Sequence, residues 1–93
     1  MGGFFMRYYV YILYAPDYER YYKGQTQNLS LRLKRHQQGT EKSTAPYRPW
    51  ILVWFTVKAS RGEAIRLEAK LKTLSKGRIQ CFIRKYPPHK TSL

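Results

Sequence analysis

Of the five carboxylates in this sequence, four have a structural reason to be present and one does not. Asp17 and Glu19 fall in a turn, and Glu41 falls in an exposed polar loop. Glu63 stands three residues after Ser60, the spacing of a capping box. Glu68 remains. It lies inside or beside the apolar stripe Ala64, Leu67, Leu71, Leu74 of one helix. An ionised carboxylate there is costly unless a cation or a set of donors meets it. It reads either as the partner of a nearby lysine or arginine, or as the ligand of a divalent cation. Arg32 and His36 are four apart and share a helical face. Arginine makes a two-pronged contact with phosphate, and a histidine beside it exchanges protons near neutral pH. Lys34 and Arg35 lie alongside, so this pair taken alone also fits an ordinary solvated basic face.

Phenols complete the set. Tyrosines stand at 8, 9, 11, 14, 21 and 22, on two segments separated by the turn Ala15-Pro16-Asp17-Tyr18-Glu19. A sheet surface is served equally well by valine, isoleucine or phenylalanine. Hydroxyls that no strand requires point to a surface that holds something polar, and so to a groove.

The elements that must position these groups are readable from pattern. Strands are expected over 8–14 and 20–25, with Gly24 marking a close backbone approach or a bend. Asn28 caps a helix over 29–38 that Gly39 stops. A polar loop over 40–49 leads to a third strand over 50–57, near-continuously apolar and therefore central or covered on both faces. A second helix runs from 61 to about 74, and Ser75 caps a last one that ends before Tyr86. The fold class is α+β, a three-stranded antiparallel sheet flanked by helices in the order β-β-α-β-α-α. One domain is expected over 7–86, followed by a loose tail over 87–93.

With 93 residues, 43% hydrophobic and 16% aromatic, the chain can build one core and no large internal cavity. Eighteen lysines and arginines against five acids leave +13, more than solubility requires. Such a field attracts polyanions with a steep salt dependence. No separate amphipathic basic helix points to a membrane instead. The single cysteine, Cys81, excludes a disulfide framework and cysteine-based metal binding, and its apolar surroundings place it in the core. No stretch has membrane-spanning length, and residues 1–6 do not form a signal peptide, so a soluble cytoplasmic protein is expected. Monomer and weak homodimer both stay open, the latter through the hairpin edge or through Trp50 and Trp54.

In order and spacing, these residues resemble the GIY-YIG nuclease family. Its first motif matches Val10-Tyr11-Ile12 and its second Tyr22-Lys23-Gly24. Its helix arginine falls on Arg32, a following histidine on His36, and its metal-binding glutamate on Glu68 in Leu67-Glu68-Ala69-Lys70-Leu71. The element order is also that family's. Small stand-alone members share stretches such as Tyr22-Lys23-Gly24-Gln25-Thr26 and Pro49-Trp50-Ile51-Leu52-Val53. Three departures stand out. Val10 replaces a glycine, Ile12 takes the place of the tyrosine that names the first triplet, and Lys23 replaces an isoleucine. Some relatives carry a lysine where this chain has Gln25; Lys23 is near, but a strand turns it to the other face.

The resemblance implies a metal-dependent endonuclease cutting DNA phosphodiesters; with no residues left over for an added recognition domain, structure or junction is expected to be preferred over sequence. One Mg²⁺ or Mn²⁺ would sit on Glu68. Arg32 would grip a non-bridging oxygen, and Tyr11 or Tyr22 would deprotonate a water, relayed to His36 or solvent. Lys23, Lys34, Arg35, Lys42 and Arg48 are the expected nucleic-acid contacts. A two-metal scheme would need clustered carboxylates. The rival pattern Pro16-Asp17 with Glu68-Ala69-Lys70 fails because its acid lies in a turn and its other half on a helix. A non-catalytic nucleic-acid-binding domain explains charge and aromatics equally well, but leaves Glu68 unexplained. A plain basic interaction domain explains least.

Overall fold

In the computed structural model, which describes residues 7–86, the first two strands are β1 (Tyr8–Ala15) and β2 (Arg20–Thr26). They are followed by α1 (Leu29–Gln38), β3 (Ile51–Lys58), α2 (Arg61–Lys72) and α3 (Lys76–Lys85). The expected α+β fold and element order are found, with boundaries within one or two residues. The sheet is antiparallel in the order β2-β1-β3.

The pleat of β1 divides the molecule. Tyr9, Tyr11, Leu13 and Ala15 face one side, where they pack with Leu29 and Leu33 of α1, Trp50 and Phe55. Tyr8, Val10 and Ile12 face the other, against Trp54 and the α2/α3 residues Ala64, Leu71 and Ile79. Alternation along a strand imposes this partition, and helices on both faces are what bury the middle of β1. Val10, Tyr11 and Ile12 have no exposed surface. Burying an aliphatic side chain of this size contributes about 1.5–3 kcal/mol.

The helix ends follow the sequence closely. Asn28 Oδ1 accepts from Leu31 N at 3.0 Å, and Gly39 closes α1 in the left-handed region at φ 79°. Ser60 Oγ accepts from Glu63 N at 3.2 Å and donates to the Glu63 carboxylate at 3.0 Å.

Two expectations are corrected and two are sharpened. β3 is an edge strand, so of the two arrangements its apolar run suits, central or covered on both faces, it takes the second. It is apolar because Trp54 and Phe55 plug into opposite faces, and a register shift between Ile12 and Leu13 inserts Val53 as an extra residue. Cys81 is exposed, because the helical period of α3 turns Ile79, Phe82 and Ile83 inward and leaves Cys81 outside. Trp50 and Trp54 are buried in their own chain, with indole N–H groups donating to Thr44 O and Tyr86 O, so neither is available to a second copy. The loop over 40–49 holds one 3-10 turn, Ala45–Tyr47. The tail expected over 87–93 lies outside the described residues.

Candidate active site

Gly24 sits directly across from Tyr11 in the β1–β2 register. A Cβ on Gly24 would come 2.6 Å from the Tyr11 hydroxyl, so the glycine is required by the ring that lies over it. This is the close approach anticipated from sequence. Covered in this way, the Tyr11 phenol meets His36 Nε2 at 2.9 Å, and His36 Nδ1 meets Thr44 Oγ1 at 2.8 Å. All three residues are buried.

One proton assignment satisfies every group. Thr44 Oγ1–H donates to Glu41 O at 3.3 Å, which leaves its lone pairs for His36 Nδ1–H. The bare Nε2 then accepts from Tyr11 O–H. Reversing the chain would take the Thr44 proton away from Glu41 O and turn the Tyr11 proton away from Nε2, while the Arg32 guanidinium beside it can only donate. His36 is therefore a neutral imidazole with Nδ1 protonated. Burial lowers its pKa, opposed by Glu41 and helped by Arg32 and Arg35. The Tyr11 pKa is raised, first by burial and then by Tyr22, against the pull of Arg32.

Tyr22 stands on the same face and is half-buried, its ring 5.0 Å from His36, 6.2 Å from Tyr11 and 6.3 Å from Trp50. Thus β1, β2 and α1 bring Tyr11, Tyr22, Arg32 and His36 together. The pleat also decides the register of the first motif. Tyr11 points to this face and Ile12 to the opposite core, so a triplet ending on its phenol is Tyr9-Val10-Tyr11.

Glu68 does not face the phenols directly. It belongs to α2, which packs on the opposite face of the sheet, and it lies against the edge of β2. Its side chain is 18% exposed; Oε1 accepts from Gln25 Nε2 at 3.5 Å, and Oε2 lies 3.6 Å from Lys72 Nζ. Both contacts are longer than a strong charge-assisted bond. Gln25 is the link between the two halves. It is paired with Val10, so its side chain leans toward α2. Gln25 also lines a cleft of about 400 Å³ with Tyr8, Asn28, Arg32 and Arg61. The cleft passes around the end of β2, from the α1 side to the α2 side.

The remaining cations are spread. Lys23 is paired with Ile12 and so faces α2, as strand alternation required; burial first and Lys72 second lower its pKa. Arg35 is held by Glu41 at 3.1 Å, which takes Glu41 out of the role of a merely exposed loop acid. Arg48 Nε donates to Ala45 O at 2.9 Å, and its guanidinium lies against Gly39. Lys34 and Lys42 are exposed. Sequence reasoning missed Thr44 and underused Gln25. The signal for Thr44 was that a buried imidazole needs a partner on each nitrogen.

The sequence model described as the GIY-YIG catalytic domain matches residues 7–80. The UPF0213 protein SH2523 of Staphylococcus haemolyticus is 37% identical over 71 residues, covering 75% of this chain and 85% of that protein. The solution NMR structure of the UPF0213 protein BH0048 of Bacillus halodurans superposes with a TM-score of 0.57 at 34% identity, covering 85% of this chain and 84% of that one. With the motif residues in order and the sheet that carries them in place, the chain belongs to the GIY-YIG family.

Proposed function

We propose that this protein is a metal-dependent endonuclease that hydrolyses DNA phosphodiesters in the cleft around the end of β2. The carrying observation is that Tyr22 and Arg32 project beside a buried, fully hydrogen-bonded chain of Tyr11, His36 and Thr44. Such a chain fixes side chains with no slack, as a site requires.

Arg32 grips a non-bridging oxygen and neutralises developing charge, with Arg61 across the cleft. Tyr22 is the half-exposed phenol and orients the attacking water and takes its proton. Against Tyr11 in that role count its lack of exposed surface and the burial that makes it hold its proton more tightly. Its part is to position Arg32 and Tyr22. His36, neutral and with both nitrogens bonded, holds Tyr11.

The donor set fits one hard divalent cation. Among the described residues no group of three or more His, Cys, Asp or Glu could hold a metal. Mg²⁺ is commonly held by one or two carboxylates, with water and substrate phosphate completing its shell. Glu68, with the Gln25 carboxamide beside it, matches that pattern. Bound there, the ion supplies charge to polarise the phosphate and stabilise the leaving 3′ oxygen. The contacts of Glu68 to Gln25 and Lys72 also support a second reading, in which the carboxylate is structural and the domain binds nucleic acid without cutting it.

Supercoiled and branched DNA incubated with Mg²⁺ or Mn²⁺ separates the two. The nuclease reading expects nicking, lost in Glu68→Ala and lowered about 10²-fold or more in Tyr22→Phe. Binding without cleavage, or cleavage that survives Glu68→Ala, establishes the second reading or removes the glutamate from the mechanism.

A further inference from the structure

On the far side of α2 from the cleft, β3 and α3 enclose a groove of about 620 Å³, within the size range of ligand sites. Its apolar floor includes Leu67 and Leu74. Its aromatic side is a ladder: the Trp54 and Phe82 ring centroids are 5.0 Å apart, and those of Phe82 and Tyr86 are 4.9 Å apart. Trp54 Nε1 donates to Tyr86 O at 2.8 Å, which fixes the backbone at the open end, where Tyr86 is 47% exposed. Lys58, Lys70, Arg78 and Lys85 ring the groove, and no acidic residue lines it. All five carboxylates of the chain stand elsewhere.

Four unopposed cations over an apolar floor call for an anion with flat, apolar parts. We propose that this groove binds a single-stranded segment of nucleic acid, bases against the Phe82–Tyr86 end and phosphates on the surrounding cations. Stacking on aromatics combined with a positive rim is how single strands are held without sequence preference. A duplex keeps its bases paired inside and cannot use such a floor, so the groove favours substrates with an unpaired arm. Lys58 pairs with Tyr8 across the β1–β3 ladder, and Tyr8 lines the cleft. A strand leaving the cleft past Tyr8 therefore reaches the groove. The inference rests on the reading that the chain acts on nucleic acid, and is independent of whether it cuts.

Cys81 lines the groove, is exposed and is the chain's one cysteine, so the unmodified protein carries its own reporter. A thymidine oligonucleotide bearing an activated disulfide tether should cross-link to Cys81, and an untethered oligonucleotide should compete. The yield should exceed that of a Cys81→Ser, Gln38→Cys variant, which offers an exposed thiol at the end of basic α1. Tyr86→Ala should weaken binding about tenfold. Lys70→Gln with Arg78→Gln should lower the salt slope of single-strand binding by about 1.4. Both lysine and arginine are exposed, so these variants fold. Cross-linking and binding measured without added divalent metal, where no cleavage is expected, separate failure of the groove from failure of the nuclease reading. Equal cross-linking at residues 38 and 81, or competition by an acidic peptide and not by the oligonucleotide, overturns the proposal. Occupation of the groove by the chain's own residues 87–93 does so too, and would show as a gain in oligonucleotide binding on their removal.

Discussion

Replacing Thr44 by valine keeps the shape of the side chain and removes the acceptor of His36 Nδ1–H. A buried donor left without a partner costs about 1–3 kcal/mol, so Thr44→Val should lower the unfolding free energy, read by denaturant titration, by that amount while Thr44→Ser restores most of it. The imidazole ¹⁵N shifts provide a second check: they should report the Nδ1-protonated tautomer in the natural chain and a mixture in the valine variant. Gly24→Ala forces a methyl onto the Tyr11 hydroxyl, at 2.6 Å, against a ring with nowhere to go. Overpacking of this kind costs roughly 1–3 kcal/mol, measurable by urea titration. The same chain sets a pH window. The folded His36 pKa lies below its ordinary 6.5, so the unfolded chain binds more protons in acid, and stability complete above that pH falls on acidification. The folded Tyr11 pKa lies above its ordinary 10.0, so the unfolded chain gives up its proton first, and stability falls as pH rises past that value. A plateau between the two is expected in denaturation midpoints, with the alkaline decline flattened in Tyr11→Phe. Part of this is legible in sequence: of the expected set Tyr11, Tyr22, Arg32, His36 and Glu68, the first four lie on one face of the sheet and Glu68 lies toward the other. The exposure of their phenols was not legible. Tyr11 reads in sequence as a surface hydroxyl because no strand needs one, but a buried histidine does.

At the scale of elements, the cap and stop signals acted as written. Asn28→Ala should cost about 1 kcal/mol, and a thermal melt would show it. Gly39→Ala should cost about 1–2 kcal/mol through its φ of 79°, since the nearby Arg48 guanidinium is a flexible end that can move aside. What pattern could not supply was the arrangement of strands. The continuous apolar run of β3 implied cover on both faces, which is correct, and also suited a central position, which β1 holds instead. Hydrophobicity reports burial of side chains and is silent on whether both backbone edges are paired. The same limit concealed the placement of Glu68. Its helical spacing marked it as near-buried, while the face of the sheet on which α2 lies is a matter of topology.

The whole molecule carries +13, with cations on the α1 side, around the cleft and around the β3–α3 groove. Binding of any polyanion should therefore weaken steeply with added salt. Among the described residues no helix is long and apolar enough to cross a membrane. The central strand belongs to both cores and so couples the two faces. Each face also holds a single indole, Trp50 on the side of α1 and Trp54 on the side of α3. Phenylalanine at either position thus leaves a one-colour optical probe of the opposite layer, and the two emission curves in urea should overlay if β1 makes the molecule melt as one unit.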